Sequence, residues 1–342
     1  MRVLRLLVLL GALATLLGGG GFLWLEERMQ SPQPRREPLL LDVRPGEPVR
    51  AVLQELQQRG ALPDARLVEL WARLVDRVPQ VKSGRYAIAA DASPQQILQQ
   101  LDEGRVLLES LTVVEGTVFA ELRRRLAAHP GLRQTLTGIS DAELMRRLGA
   151  PGVHPEGRFF PDTYLFAWGS ADLDLLKLAY ARMQQRLASA WETRRPDLPL
   201  RSADEALTLA SIVEKESALA AERPRVAGVF VQRLRLGMRL QSDPTVIYGL
   251  RERYDGDIRR RDLVTDTPYN TYTRSGLPPT PIGLPGEAAL RAVTQPLETG
   301  ELYFVATGLG DGSHSFSRDY DTHRRAVQQM LERQRARRSE LP

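Results

Sequence analysis

Two glutamates, Glu214 and Glu216, stand in the second half of a segment that reads as a helix over 204–220. Helical periodicity places Glu216 between Ile212 and Leu209, with Val213, Leu219 and Ala220 close by, on the apolar core-facing stripe. Glu214 falls well away from that stripe, near Leu207. An ionised carboxylate among apolar side chains is costly, so the pKa of Glu216 should rise. A carboxyl that stays protonated near neutral pH is what a general acid requires. The same placement also suits a glutamate at the edge of the core, satisfied by a backbone N–H or an arginine.

The long stretch 238–285 is rich in Pro, Gly, Thr and Tyr. Within it, Gln241-Ser-Asp-Pro-Thr-Val-Ile-Tyr248 and Tyr269-Asn-Thr-Tyr-Thr273 mix aromatic faces with hydroxyl, amide and carboxyl groups. Such mixtures bind sugars, since flat rings stack on apolar sugar faces while polar groups meet hydroxyls and N-acetyls. A long loop braced by its own prolines and tyrosines has the same composition. Other chemistries find less support. Four histidines, His129, His154, His314 and His323, lack ligand spacing on one helix. Ser211 and Ser217 lack a nucleophile-elbow setting, and the glycine tracts 18–21 and 308–312 lack the Lys-Ser/Thr of a phosphate loop. The absence of cysteine excludes disulfides, thiolate metal sites and a cysteine nucleophile.

The elements that must position these residues read as α+β. Leu39–Val43 is a strand, followed by helices over 48–59 and 64–78, a strand at Gly84–Ala89 and a helix from Ser93 stopped by Gly104. Residues 39–110 therefore form a small α+β module. Over 111–200 a strand at Leu111–Val114 precedes helices near 118–128, 140–148 and 175–194. The aromatic, turn-rich segment Pro155–Tyr164 lies between the last two, and loops of this kind often line a site. Ser202-Ala-Asp-Glu205 is a capping-box signature opening the glutamate helix, and Pro224 opens the next one, to Leu236. A strand pair at 302–306 and 314–317 and a charged helix over 319–338 close the chain.

The N-terminus addresses location. Arg2 and Arg5 precede an uncharged run from Leu6 to Leu25, closed by Glu26, Glu27 and Arg28. At about 1.5 Å per residue the run spans roughly 30 Å, the thickness of a hydrocarbon core. The run continues through Phe22-Leu-Trp-Leu25 past its small-residue sites, which favours an uncleaved anchor over a signal peptide. Trp24 suits the interface, and the arginines place the N-terminus in the cytoplasm and the body outside. Residues 31–38, rich in Pro and Arg, read as an extended solvated linker. The formal charge of +5 on 342 residues suits an acidic partner without choosing one, and export removes nucleic acid, the usual partner of such charge.

Several motifs together resemble one family. They are Ala210-Ser-Ile-Val-Glu-Lys-Glu-Ser217, Gly237-Met-Arg-Leu-Gln-Ser-Asp-Pro-Thr-Val-Ile-Tyr248, Tyr269-Asn-Thr-Tyr272, Gly276-Leu-Pro-Pro279, Leu302-Tyr-Phe-Val305 and His314-Ser-Phe316. Glu156-Gly157 with Phe160-Pro-Asp-Thr-Tyr164 extends the match upstream. In this order they are similar to the YceG-like, endolytic murein transglycosylase family, over nearly the whole chain. The resemblance implies an N-terminal transmembrane helix, a small LysM-like module and a mixed α+β catalytic domain whose central helix carries the catalytic glutamate. That layout gives a cytoplasmic tip and anchor at 1–30, linker 31–38, module 39–110, a connecting part at 111–200 and the catalytic core at 201–342. It implies Glu216 as the catalytic acid/base, with Gln241, Asp243, Thr245, Tyr248, Asn270 and Tyr272 as candidates for holding glycan. It implies no metal or cofactor. The implied partners are peptidoglycan strands, the lipid bilayer and peptidoglycan synthases of the penicillin-binding type, at the inner membrane with catalysis on the periplasmic side. The implied reaction is non-hydrolytic cleavage between N-acetylmuramic acid and N-acetylglucosamine, closing a 1,6-anhydro ring and terminating strand elongation. A lysozyme-type hydrolase using the same acid and a non-catalytic peptidoglycan-binding scaffold are the alternatives.

Overall fold

A computed structural model describes residues 2–217 and 219–340; the side chains of residues 2–14, 252 and 338–340 lie outside that description. The elements run α1 (Arg2–Gln30), β1 (Leu39–Val43), α2 (Val49–Gln58), α3 (Ala65–Leu74), β2 (Gly84–Ile88), α4 (Pro94–Glu103), β3 (Leu108–Thr112), α5 (Phe119–Ala128), β4 (Leu132–Arg133) and α6 (Asp141–Arg147). They continue with β5 (Thr163–Ala167), β6 (Ser170–Ala171), α7 (Asp172–Glu192), α8 (Ala203–Glu216), α9 (Arg223–Arg235), α10 (Asp243–Leu250), α11 (Arg260–Val264), α12 (Glu287–Thr294), β7 (Tyr303–Ala306), β8 (His314–Ser317) and α13 (Tyr320–Glu340). The chain divides into two units. One holds everything up to Ser110 plus Pro130–Arg133 and Leu165–Ala171; the other holds the rest.

In the first unit β1 and β2 pair antiparallel with Leu41 opposite Tyr86. Strand alternation turns Leu41, Val43, Tyr86 and Ile88 inward, where α2, α3 and α4 meet them with Leu56, Trp71 and Leu101. The helices start where the sequence signals a start. Asp64 accepts from the N–H groups of Arg66 and Leu67, and Ser93 with Gln96 forms a capping box. Gly104 stops α4 at φ +67, a left-handed conformation open to glycine.

Two features of this unit differ from the sequence reading. The last turns of α1 belong to its core: Leu25 and Met29 are buried there, and Trp71 Nε1 donates to Glu26 Oε2 at 2.8 Å. Leu25, expected at the outer end of a membrane span, packs against protein instead. The segment 31–38, expected as a solvated linker, is tethered through Arg35, which donates to the carbonyls of Ala89 at 2.6 Å and Ile88 at 3.3 Å. Much of the expected anchor, residues 1–14, lies outside the described side chains. Among the described residues no helix is long and apolar enough to cross a membrane.

The second unit is built around α8. Its residues from Ala206 to Glu214 are all buried, so the helix is enclosed on every side. α7, α9, α10 and α12 pack around it. The β7–β8 hairpin, with Phe304 opposite Phe316, adds its aromatic rings to the same core and carries α13. α8 stops at Glu216 rather than near 220. Ser217 turns extended, its Oγ donates to Leu219 O at 3.0 Å, and Arg223 Nε reaches Ser217 O at 3.4 Å. The region 238–285, expected to be irregular throughout, contains α10 and α11.

Candidate active site

α8 delivers Glu216 from its last turn. Ser202 caps the start by accepting from Glu205 N at 3.2 Å, and Glu205 in turn accepts from Arg201 N at 2.6 Å. The other end leaves Glu216 beside the free carbonyls of a helix C-terminus, where negative charge is disfavoured.

Because α8 is enclosed on all sides, its periodicity does not separate the two glutamates as expected. Glu214, expected to point away from the core, is buried. Its Oε1 pairs with Arg223 Nη2 at 2.6 Å and its Oε2 accepts from Gly286 N at 2.9 Å. Burial raises its pKa, while Gly286 and Arg223 oppose the rise. What distinguishes Glu216 is engagement. Its Oε1 accepts from Ser242 Oγ at 2.5 Å, and its Oε2 has no hydrogen-bond partner among the described residues. The residue is ringed by protein atoms yet keeps a partial opening to solvent. Desolvation pushes its pKa up to about 7; the Ser242 hydrogen bond opposes this, the Asp243 charge adds to it and Arg233 opposes it.

The loop 239–242 and α10 supply those neighbours. Ser242 is the N-cap residue of α10, yet its hydroxyl makes no capping bond and is turned to Glu216 instead. Gln241 before it has φ +52, a strained value for a residue with a side chain. Arg233, almost fully buried on α9, holds this loop. Its Nη1 donates to Leu240 O and its Nε to Leu302 O, both at 2.7 Å, which ties the loop to the residue that leads into β7. Asp243 lies on the exposed side and accepts from Tyr272 OH at 2.5 Å.

The six candidate glycan-holding residues separate into two groups. Gln241, Asp243 and Tyr272 have surface beside Glu216, and Tyr248 presents its ring to a groove next to it. Thr245 and Asn270 are completely buried. Thr245 Oγ1 bonds Ser242 O at 2.6 Å and Thr271 Oγ1 at 2.9 Å. Asn270 Nδ2 donates to the carbonyls of Asp262, Leu263 and Thr265, and its Oδ1 accepts from Tyr272 N. Both stand behind the site and shape its loops, because every polar atom they own is engaged within the protein.

Sequence reasoning missed Ser242, Arg233 and Glu156. Ser242 stands inside the polar motif 241–248, between the candidates Gln241 and Asp243. Glu156 lay in the aromatic segment expected to line a site. It is buried, accepting from Phe119 N at 2.9 Å and Tyr248 OH at 3.0 Å, and burial pushes its pKa up to about 7. Following it, Gly157 has φ +79 and a Cβ there would fall 2.5 Å from Pro281, so the loop packs closely only with glycine.

The chain is similar to several known proteins. A Bacillus subtilis protein named endolytic murein transglycosylase is 26% identical over 333 residues, covering 92% of this chain and 91% of that protein. A Streptococcus pneumoniae protein of the same name is 25% identical over 317 residues, covering 82% of this chain and 56% of that longer protein. The crystal structure of a YceG-like protein from Listeria monocytogenes matches with a TM-score of 0.53 at 26% identity, over 85% of this chain and 99% of that one. The family model of the YceG-like family matches residues 41–329, nearly the whole span from β1 into α13. The chain belongs to the YceG-like family.

Proposed function

We propose that the protein is an endolytic lytic transglycosylase that cleaves the bond between N-acetylmuramic acid and N-acetylglucosamine in peptidoglycan strands. One observation carries the assignment of the acid: Glu216 is desolvated, held at one oxygen by Ser242 and unengaged at the other, beside an opening. The names of the relatives supply the substrate. Protonated Glu216 donates from Oε2 to the glycosidic oxygen, the C1–O bond breaks, and N-acetylglucosamine leaves with its 4-hydroxyl restored. The muramic N-acetyl oxygen closes on C1 and carries the positive charge, so no nucleophilic carboxylate is needed. Glu216, now ionised and stabilised by Ser242, takes the proton of the C6 hydroxyl. O6 then attacks C1, displaces the N-acetyl oxygen and completes the 1,6-anhydro ring with the acid regenerated. Asp243, held by Tyr272, faces the developing positive charge and keeps Glu216 protonated beforehand.

The test is mass analysis of glycan digested by wild type and Glu216→Gln. Anhydro ends, lighter by one water than reducing ends, are expected from wild type and none from the variant. Reducing ends would establish a hydrolase. Activity surviving in Glu216→Gln but lost in Glu214→Gln would refute the choice of acid.

The site's location follows from the same reading. Arg2 and Arg5 before the uncharged run, with Leu16, Leu17, Leu23 and Trp24 exposed on α1, support a single-pass inner-membrane anchor with catalysis outside. The module over 39–110, of strand–helix–helix–strand–helix order, would be the LysM-like glycan binder, followed by the connecting part and the core in the order given above. A peptidoglycan synthase would be the partner that supplies nascent strands. Protease protection of 39–342 in sealed inverted vesicles tests the orientation, and full digestion would overturn it.

A further inference from the structure

A groove of about 340 Å³ opens beside the end of α8, with Pro244, Ile247 and Tyr248 of α10 on one side and Glu115, Glu214 and Lys215 on the other. Lys215 is the neighbour of Glu216, and Pro244 follows Ser242 and Asp243. The groove therefore continues from the acid along the same two elements. Its charges are not equivalent. Glu214 is paired with Arg223 at 2.6 Å and bonded by Gly286 N, and Arg223 also reaches Glu115 at 3.4 Å. Lys215 has neither ion pair nor hydrogen bond among the described residues; burial lowers its pKa, and the charges of Glu156 and Glu214 raise it. Its side chain is laid over a glycine floor. A Cβ at Gly283 would lie 2.9 Å from Gly116 O and 3.0 Å from Lys215 Cε. On this exposed residue the ammonium makes no ion pair or hydrogen bond among the described residues and stands across the groove from Pro244, Ile247 and Tyr248, next to the acid.

This inference depends on the transglycosylase reading and deepens it. Muramic acid bears its peptide stem through the lactyl group on C3, close along the ring to the C1 that reacts. Any acid placed at C1 brings that stem to its flank. We propose that the groove beside Glu216 takes the peptide stem of the muramic residue being cleaved, with Lys215 receiving a stem carboxylate and Pro244 and Ile247 meeting its short aliphatic side chains. The enzyme would then select strands that still carry stems.

The experiment compares kcat/KM for release of anhydro ends from strands with intact stems and from strands stripped by an amidase. The proteins are wild type, Lys215→Met, Lys215→Arg and Ile247→Glu. The ratio of the two values is expected to fall about tenfold in Lys215→Met, the size of one charge-assisted hydrogen bond at a partly exposed site. It should fall also in Ile247→Glu, which adds a like charge to the stem's, and be largely kept in Lys215→Arg. An unchanged ratio in Lys215→Met, including equal losses on both strands, overturns the stem site. A wild type that releases no anhydro ends from either strand overturns the parent reading instead.

Discussion

Removing the Ser242 hydroxyl tests the logic of the site through its sign. Ser242 Oγ lies 2.5 Å from Glu216 Oε1 and, by donating, favours the ionised carboxylate. A charge-assisted hydrogen bond in a desolvated setting contributes about 1.5–3 kcal/mol. At about 1.36 kcal/mol per pH unit, Ser242→Ala should raise the pKa of Glu216 by roughly 1–2 units. The wild-type carboxyl titrates at about 7. Since the first step needs the protonated acid, kcat/KM falls as pH rises through that value. The variant's alkaline limb should therefore lie roughly one to two units higher, near 8–9. Its rate on the acid plateau should be lower, because Oε1 is no longer held in place. The assay is the initial rate of anhydro-end release from pH 5 to 9 at subsaturating glycan. An alkaline limb that stayed put, or moved toward acid, would refute the reasoning.

Asp243→Asn removes a charge that holds the Glu216 pKa up, so its alkaline limb should move below about 7, opposite in direction to Ser242→Ala; the same pH series reads it. Glu216→Gln should alter stability in a pH-dependent way. The folded pKa of about 7 exceeds the ordinary glutamate value of 4.5, so the stability contributed by the protonated carboxyl is complete below pH 4.5 and lost as pH rises through 7. The amide does not titrate, so its advantage in thermal unfolding should be absent near pH 4 and reach about 1–3 kcal/mol by pH 8. Arg223→Met strands the buried Glu214 carboxylate and should cost about 3–5 kcal/mol in denaturant unfolding. Glu214→Gln in the same molecule should recover part of that loss.

The first unit was largely legible because its signals are local. Helix stripes, the capping signal at Ser93 and the stop at Gly104 are each contained within a few residues. The end of α1 was not, because Leu25 and Met29 read equally well as the tail of a membrane span. Their burial against the first unit's helices, beside the partly buried Trp71–Glu26 hydrogen bond, is what places them in a protein core. At the site, periodicity selected Glu216 for a reason the fold does not uphold. α8 has no solvent face to contrast with a core face, and Leu219 and Ala220 lie beyond its end. The glutamates differ in their partners, Arg223 for one and Ser242 for the other, and neither pairing is written in helical spacing. The α10 helix is hard to read from sequence although Asp243 and Pro244 are start signals. It is eight residues long, and the Thr, Tyr and Gly within it read as loop. Asn270 and Thr245 show the converse error, where polar groups well suited to sugar hold backbone instead.

The diverted hydroxyl at the start of α10 sets a limit on engineering. A serine at a helix N-cap normally contributes about 1 kcal/mol by bonding the helix's own N–H groups. Here that bond is missing. A stabilisation campaign scoring helix ends would flag position 242 and favour aspartate, a strong capping residue. Aspartate would remove the donor that Glu216 needs after it has given up its proton and set another negative charge beside it. Thermal selection and selection for turnover should therefore pull this position in opposite directions.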